Sequence, residues 1–397
     1  MASVETADIV IAGGAGMGSA VAYFLKSLGP ENLRIIVCEP DPTYARAATT
    51  LAAGGIRQQF STPENIVMSQ YGFDFLRRID EELAIDGEGP QVDLHVVPYL
   101  HLAAGGKDVD GLRESFELQS ELGAGPLWLE RDDLRARYPW MTVDDIDAAV
   151  LGGPREGVFD PYAMLQAFRR KAVSLGVEYR PAAVTGIEPA SGAEGVTVAL
   201  SDGGRLACGR IINCAGPAAG RLAALAGLDL PVIPVRAHSF VFKVEQAPTT
   251  DLFPIIVDQV QLLNIRAEGD MFLAGSPREG ELVDAGDNFA IDYDFFDTEL
   301  WPMLATRVPA FEAIRMTSAW VGHMEWSLPD ANPIIGPHPD FPAMVFVNGF
   351  SGHGVQHCPA VGRAVAELIV FGAYRSIDLS RFSYDRIAAG QPLTERY

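Results

Sequence analysis

The sequence of 397 residues predicts a mixed α/β fold in two domains, one of them discontinuous along the chain. Three observations predict it. Apolar segments typical of buried parallel strands end in glycine-rich turns near the start, the middle and the end of the chain. A β-rich stretch over residues 231–300 separates the second turn from the third. The length fits two domains, since roughly 150 residues is a common domain size.

The N-terminal segment is predicted to be a strand, a turn, a helix and a second strand. Residues 8–12 are an apolar run, residues 19–28 place apolar side chains at helical spacing, and a strand over 33–38 leads into Glu39. Such a turn lets a pyrophosphate approach a helix N-terminus, and the acid accepts hydrogen bonds from a ribose. The order of these elements predicts a dinucleotide site more strongly than the glycines alone.

The turn itself has the spacing G-x-A-x-x-G, given by Gly13, Ala15 and Gly18. Alanine at the middle position departs from the usual glycine. It is the smallest side chain available, and Gly14 and Gly16 beside it keep the turn open. A dinucleotide-binding turn is therefore still predicted with alanine at position 15.

Further elements follow from the same patterns. Residues 64–85 are predicted to be a helix, and residues 92–104 to be strands. Because the latter contain a proline, an edge or a second sheet is favoured. Asp160 is a good N-cap for a helix that begins with proline.

A third glycine cluster, residues 349–354, follows a buried strand at 344–348 and precedes a helix predicted from about residue 360 to 371. A simple nicotinamide enzyme has no need for this late cluster. A flavin has a three-ring head and a ribityl chain, and it requires backbone donors from several places. The late cluster therefore favours FAD over NAD.

Charge and composition exclude several classes. The chain has 30 Lys and Arg against 52 Asp and Glu, a net charge of −22, so nucleic acid and anionic membrane surfaces are not expected as partners. No apolar run approaches the roughly 20 residues of a membrane span. The acidic start lacks the basic region of a signal peptide, and four cysteines show no metal spacing. We expect a cytoplasmic protein.

Taken together, these residues resemble the D-amino-acid oxidase superfamily of FAD-dependent oxidoreductases, in the glycine and sarcosine oxidase branch. The pattern is most similar to that of the FAD-dependent oxidoreductase-domain proteins. Besides the first turn and Glu39, the segments that carry the resemblance are residues 53–60, 213–217, 320–325, 329–336 and 349–354.

This resemblance implies a discontinuous Rossmann-like FAD-binding domain with an inserted, mainly antiparallel β-sheet substrate domain. The FAD-binding domain is expected to comprise residues 1–90, 145–228 and 320–397. The substrate domain is expected to comprise residues 91–144 and 229–319.

The resemblance also implies which residues hold FAD. Residues at the phosphates, the adenosine, the flavin and the ribityl chain are expected to be Gly13, Gly14, Ala15, Gly16, Met17, Gly18, Glu39, Pro40, Thr49, Thr50, Gly54, Gly55, Ile56, Arg57, Val184, Ala215, Gly216, Gly352, His353, Gly354, Val355 and Gln356.

The chain departs from the family pattern in several places. The cysteine that attaches FAD in some relatives falls at Gly322 or His323, so non-covalent FAD is expected. A lysine that promotes reaction with oxygen is replaced within residues 273–277, which favours electron transfer to a carrier without excluding O₂. In the family, an arginine and a lysine bind the substrate carboxylate. In this chain Phe60 and Gln356 stand at those two positions.

Arg57, His353 and Glu325 are the candidates for substrate contact and catalysis. Arg57, Arg236 or Arg278 could replace the missing carboxylate clamp, and Glu325 could pair with a cationic group of the substrate. A metal at His353 and its neighbours is not expected, because a flavin must fit there.

Three functions remain open from the sequence. The first is FAD-dependent oxidation of the C–N bond of an amino acid or N-alkyl amine, with O₂ or an electron carrier as acceptor. The second replaces the substrate by a 2-hydroxy acid. The third is a non-catalytic flavoprotein that assists assembly of a partner.

Overall fold

The computed structural model describes residues 4–189, 195–248, 253–276 and 282–396. The strands within these ranges, numbered in chain order, are β1 (Glu5–Ala12), β2 (Ile35–Cys38), β3 (Gly55–Ile56), β4 (His95–Val96), β5 (Tyr99–Ala103), β6 (Leu127–Glu130), β7 (Ala148–Leu151), β8 (Gly157–Val158), β9 (Glu178–Arg180), β10 (Val184–Pro189), β11 (Val196–Leu200), β12 (Arg205–Asn213), β13 (Val232–Val244), β14 (Ile255–Asp258), β15 (Leu263–Glu268), β16 (Met271–Gly275), β17 (Ile314–Ser327), β18 (Ile334–His338) and β19 (Phe341–Asn348).

The α-helices in the same ranges are α1 (Gly16–Leu28), α2 (Pro63–Leu76), α3 (Ile79–Glu82), α4 (Gly106–Glu121), α5 (Arg131–Arg137), α6 (Pro161–Ser174), α7 (Ala219–Ala224), α8 (Tyr293–Phe295), α9 (Trp301–Arg307), α10 (Gly354–Phe371) and α11 (Asp385–Ala388). A π-helical turn over Phe296–Leu300 joins α8 to α9. No helix in the described part of the chain is long and apolar enough to cross a bilayer.

The first sheet has the strand order β10-β11-β12-β1-β2-β9, with β19 also paired to β12 and β18 to β19. β1 runs parallel to both β2 and β12, and Ala12 pairs with Cys38 on one side and Asn213 on the other. β19 is parallel to β12. β9 is also parallel to β2, so the carboxyl ends of five parallel strands share one edge, where ligands of such sheets bind.

Helices α1, α2, α6 and α10 cover one face of this sheet and form its main core. Gly362 of α10 faces Ala20 of α1, and a Cβ at Gly362 would lie 2.9 Å from the Ala20 backbone. The glycine therefore lets the two helices approach closely. β10, β11 and α7 contribute to the core on the other face.

The second sheet has the order β17-β13-β16-β15-β14-β5-β7-β6, and its pairs are antiparallel except β5 with β14. Helices α8 and α9 and the turn between them pack on one face of it in a separate core. A third, small sheet joins β3, β8 and β4. The predicted class, a parallel-sheet domain with an inserted β-rich unit, is confirmed.

Some predicted boundaries differ in the structure. Residues 64–85 form two helices, because the chain leaves α2 at Arg77 and Arg78. The last long helix starts at Gly354, not near residue 360, and contains Pro359 in its second turn. A proline there forgoes one hydrogen bond of the helix but does not prevent its start.

Two strands lie at or across the domain boundaries expected at residues 145 and 320. β7 belongs to the second sheet, although residue 145 was expected to open a segment of the FAD-binding domain. β17 starts at Ile314 and continues past residue 320, so one long strand crosses the other expected boundary. The remaining boundaries stay predictions.

Candidate functional site

The first turn requires glycine at two positions for different reasons. Gly13 has a φ of +98°, and a Cβ there would lie 2.3 Å from the Cys214 carbonyl oxygen. A Cβ at Gly18 would lie 1.9 Å from the Gly13 carbonyl oxygen. Close packing of this turn against the end of β12 therefore depends on the missing side chains. Helix α1 begins at Gly16, directly after the turn, so the N-terminus of the helix lies at this edge of the sheet.

Glu39 lies at the end of β2 and faces the same turn. Its carboxylate accepts hydrogen bonds of 2.9 Å from the Gly14 and Asp41 N–H groups. Burial raises the pKa of Glu39, and these two bonds oppose that effect. The acid is thus held where a ribose beside the turn would meet it, with Pro40 next to it.

The turn over Thr49 and Thr50 closes over the start of α1. The Thr49 hydroxyl accepts a 3.2 Å bond from the Gly16 N–H. The Thr50 hydroxyl is buried and has no partner among the described residues. An orphaned buried hydroxyl is expected where a bound group is missing.

Gly54, Gly55 and Ile56 place Arg57 beside the late glycine loop. The Arg57 N–H donates a 2.7 Å bond to the Gln356 side-chain oxygen, across 299 positions of the chain. A Cβ at Gly55 would overlap the Tyr99 hydroxyl at 1.8 Å, so β5 packs directly on this segment. The structure therefore brings two predicted cofactor segments together with a strand of the second sheet.

The late loop turns sharply before α10. Gly349 and Gly352 have φ values of +80° and +94°, which glycine adopts without strain. A Cβ at Gly352 would lie 3.0 Å from the Met324 sulfur, so the loop contacts β17. His353 precedes Gly354 and Val355, the first residues of α10.

The Phe60 group, defined as Phe60 with Arg57, His353 and His357, forms the wall beside this loop. The Arg57 guanidinium lies 4.3 Å from the centre of the Phe60 ring, and the two imidazoles lie 5.3 and 5.5 Å from it. The Nδ1 atoms of the histidines are 3.3 Å apart, and His357 Nε2 is 2.9 Å from the Ser69 hydroxyl.

Both histidines are neutral at ordinary pH. Burial, with the nearby Arg57 charge, lowers the pKa of His353 to about 3 and that of His357 well below its usual value. Since two neutral imidazoles share the Nδ1 contact, one donates and the other accepts. The Phe60 group itself therefore carries one positive charge, on Arg57.

Glu325 lies apart from this group. Its carboxyl faces the Gly349 and Phe350 N–H groups and the Asn348 side chain, on the side of β17 opposite to Met324. Burial raises its pKa to about 8, so it is mostly protonated at neutral pH. A neutral carboxyl does not favour the expected pairing with a substrate cation.

The other predicted residues occupy scattered places. Ala215 and Gly216 follow β12 at the sheet edge, where the Ala215 N–H donates to the Asn213 side chain at 3.1 Å. Val184 begins β10 opposite Leu200 and packs on the core of the other sheet face. Arg236 lies on β13 opposite His323, and Arg278 lies outside the described residues.

Sequence patterns missed Glu156, which is fully buried. Its carboxylate accepts bonds of 3.0 Å from the Gln58 N–H and 2.8 Å from the Tyr99 N–H. Burial raises its pKa to about 7. It therefore ties the segment after Arg57 to β5, and a lone acid in a short loop gives no pattern that would reveal this.

These observations fit FAD. Four features lie at one edge of the first sheet. They are the glycine turn that a Cβ would fill, the acid at the end of β2, the unpartnered hydroxyl of Thr50 and the start of α10. No group of three or more His, Cys, Asp or Glu in the described part of the chain could hold a metal ion. The fold and site define a flavin-dependent oxidoreductase.

Comparison with known proteins gives the family. Residues 8–368 match the model of the FAD dependent oxidoreductase (DAO) family, and the chain belongs to it. The FAD-dependent oxidoreductase domain-containing protein 1 of Xenopus laevis is 39% identical over 99% of this chain and 85% of its own length. Mitochondrial sarcosine dehydrogenase of Mus musculus is 24% identical over 96% of this chain and 42% of its own length.

Solved structures show the same fold. L-proline dehydrogenase from P. horikoshii matches 98% of this chain and all of its own, with a TM-score of 0.85 and 21% identity. Glycine oxidase from Geobacillus kaustophilus matches 96% of this chain and 98% of its own, with a TM-score of 0.79 and 21% identity. The match to the family model, not the structural likeness, confirms FAD as the cofactor and oxidoreductase as the class.

Proposed function

We propose that this flavoprotein oxidises the C–N bond of an amino acid or an N-alkyl amine. The observation that carries the proposal is the Phe60 group, with one guanidinium, at Arg57, beside the neutral His353 and His357. A substrate carboxylate would be attracted to the guanidinium. The neutral histidines would allow the nitrogen to lose its proton and stay uncharged.

FAD, when bound, supplies the two-electron acceptor that takes a hydride from the carbon beside nitrogen, leaving an imine that water hydrolyses. Arg57 would orient the carboxylate, and its backbone is fixed by Gln356. Phe60 and Tyr99 would keep water from the reacting carbon, since Phe60 is buried and Tyr99 packs over Gly55. His353 would face the substrate as a neutral hydrogen-bonding group.

Relatives support this choice of chemistry. Two that match over more than 90% of this chain are a sarcosine dehydrogenase and a dimethylglycine dehydrogenase. Solved structures of the same fold include an L-proline dehydrogenase and a glycine oxidase. All four names describe amines or amino acids, so the same substrate class is our proposal here. A cytoplasmic location stays a prediction.

The placement of lysines supports an electron carrier as the acceptor. Lys26 and Lys171 donate to backbone carbonyls, and Lys243 pairs with Asp270 at the surface. Lys107 is exposed on α4. None of the four lysines of the chain belongs to the Phe60 group, so no ammonium group would stabilise superoxide there.

Non-covalent FAD is part of the proposal. Gly322 packs on Leu51 and has no side chain to attach. His323 stacks on Phe289 at 3.9 Å between ring centres, and its Nε2 lies 2.8 Å from the Asn288 carbonyl. Acid precipitation should therefore release all the flavin into the supernatant.

The test is anaerobic loss of the visible flavin absorption in the FAD-loaded protein. Sarcosine, glycine, both prolines and further N-methyl amino acids are compared with 2-hydroxy acids of similar size, and air is then admitted. We expect loss of colour with an amine and slow return in air. Reduction by hydroxy acids alone would overturn the proposed substrate class, and fast return in air would overturn the proposed acceptor.

A further inference from the structure

Residues 391–396 follow α11 without regular secondary structure, and they contact the start of α2. Most of the segment is exposed, but Glu395 is only 3% exposed between the exposed residues Thr394 and Arg396. A buried carboxylate is costly unless hydrogen-bond donors are in place around it. Glu395 has such donors, and the reaction proposed above gives it no part.

The Glu395 carboxylate binds the chain between Phe60 and α2. One oxygen accepts from the Ser61 N–H at 2.6 Å and from the Ser61 hydroxyl at 2.9 Å. The other accepts from the Thr62 N–H at 3.1 Å and from the Asn65 side-chain NH₂ at 2.8 Å. A negative charge is also favourable at the N-terminal end of a helix. Phe60 is therefore anchored from its C-terminal side.

The backbone around this carboxylate is bound to a second segment, which lies just before β18. The Glu395 N–H donates to the Asp330 carbonyl at 2.9 Å, and the Leu393 N–H donates to the Asp330 carboxylate at 3.0 Å. The Asn332 side-chain NH₂ donates to the Leu393 carbonyl and, at 3.1 Å, to the Thr62 hydroxyl. Glu395 thus joins two segments that lie about 270 positions apart in the chain.

Each of the two joined segments also supports one histidine of the Phe60 group. The His357 ring faces the Asn65 carbonyl on α2, and its Nε2 lies 2.9 Å from the Ser69 hydroxyl of the same helix. The His353 ring faces the Ala331 carbonyl in the segment before β18. Both imidazoles therefore rest on segments that this one residue holds together.

Arg57, the remaining member of the group, is held differently. Its N–H donates to the Gln356 side chain at 2.7 Å, and its guanidinium donates to the Gln59 carbonyl at 2.7 Å. Neither bond involves residues 391–396. Loss of the Glu395 carboxylate should therefore leave the positive charge in place and disturb the side chains around it.

We propose that Glu395 is a positioning residue, which aligns Phe60, His353 and His357 by joining the start of α2 to the segment before β18. It acts through these side chains and exchanges no proton with the substrate. Its effect on rate rests on the proposed function, because the aligned side chains are those that would surround the reacting carbon. Its effect on the order of the two segments does not.

The principal variant is Glu395→Gln, studied in the FAD-loaded protein. The amide keeps the size of the side chain, but its NH₂ replaces one acceptor, so the N–H of either Ser61 or Thr62 loses its partner. Glu114→Gln is the matched control, because it breaks the exposed ion pair with Arg396 in the same segment. Ser61→Ala is a milder second variant, which removes one donor and leaves the carboxylate charged.

Two measurements report positioning separately from overall stability. Amide hydrogen exchange over residues 57–66 should be at least about tenfold faster in Glu395→Gln than in wild type or Glu114→Gln, with the turn after β1 unchanged. With an amine that reduces the flavin, the limiting rate of reduction should fall at least about tenfold, while the substrate dissociation constant changes less than about twofold. Ser61→Ala should shift both quantities in the same direction by smaller factors.

Unchanged exchange over residues 57–66, exchange that rises equally along the whole chain, or an unchanged limiting rate in Glu395→Gln would each overturn the proposal. If Glu395→Gln gives no folded protein, the same comparison with Ser61→Ala decides. If no amine reduces the flavin, the proposed function fails, and the exchange comparison alone decides whether Glu395 positions the group.

Discussion

The turn after β1 and the Phe60 group lie at the same site, but the chain builds them in different ways. The turn comes from consecutive residues, and its two critical glycines are five positions apart. The Phe60 group joins Arg57 to His353 and His357, and it is fixed by a bond across 299 positions. A contiguous motif can be recognised in a sequence, whereas a group assembled from distant segments needs the tertiary fold.

The turn after β1 and the Phe60 group also differ in how well they tolerate substitutions. The turn depends on missing side chains, because a Cβ added at Gly13 or Gly18 meets backbone. The Phe60 group depends on one charge and several hydrogen bonds, each of which can be removed without steric conflict. Changes in the turn should therefore abolish cofactor binding, and changes in the group should alter rates and pH dependence.

The largest effect is expected for Gly18→Ala. The new Cβ would lie 1.9 Å from the Gly13 carbonyl oxygen, a contact that only backbone movement can relieve. Purified protein should contain little or no flavin, as the ratio of visible to ultraviolet absorbance will show. Gly186→Ala meets only the Ala199 Cβ, at 3.4 Å, and should keep its flavin. Full flavin content in Gly18→Ala would refute the close-packed turn.

Arg57→Met should reduce kcat/KM for amino acids by about 10- to 100-fold, the effect of one lost bond to a charged group. Amines without a carboxylate should react unchanged, since they do not use the guanidinium. The comparison of the two substrate types by stopped-flow flavin reduction separates these cases. Arg135→Met, at an exposed ion pair, is the control. Equal losses for both substrate types, or loss of flavin, would assign Arg57 to the cofactor.

Glu156→Gln should lower the free energy of unfolding by about 1–3 kcal/mol at pH 8, because the amide places a donor against one of two backbone N–H groups. Those groups belong to Gln58 and Tyr99. Denaturant unfolding measures the loss. Glu188→Gln, at an exposed ion pair with Arg205, should cost nearly nothing. An unchanged stability would show that Glu156 does not hold this segment.

Glu325 predicts a smaller, pH-dependent effect. Its pKa of about 8 in the folded protein lies above the ordinary value of 4.5, so folded protein binds the proton more tightly. The contribution of this carboxyl to stability is therefore greatest below pH 4.5 and is lost as the pH rises through about 8. Glu325→Gln should flatten the decline in melting temperature between pH 6 and 9, by a few degrees. Parallel curves for the two proteins would contradict the raised pKa.

Patterns in the sequence predicted much of the fold. The strand at β1, the strand before Glu39 and the Asp160 cap of α6 all occur, the last with a 2.9 Å bond from the Ala163 N–H. These features are local, because periodicity and capping act within a few residues. The break at Arg77 and the early start of α10 were not predicted, since packing against other helices decides them.

The sequence by itself determined the dinucleotide site, because the glycines of the first turn and Glu39 lie close in the chain, and the late glycine cluster favoured FAD. Only the tertiary structure decided what surrounds Arg57. It placed Glu156 under the neighbouring backbone, aligned two histidines along Phe60 and turned Glu325 to the opposite side of β17. Burial sets the charge of each of these groups, and burial depends on segments that meet only when the chain has folded.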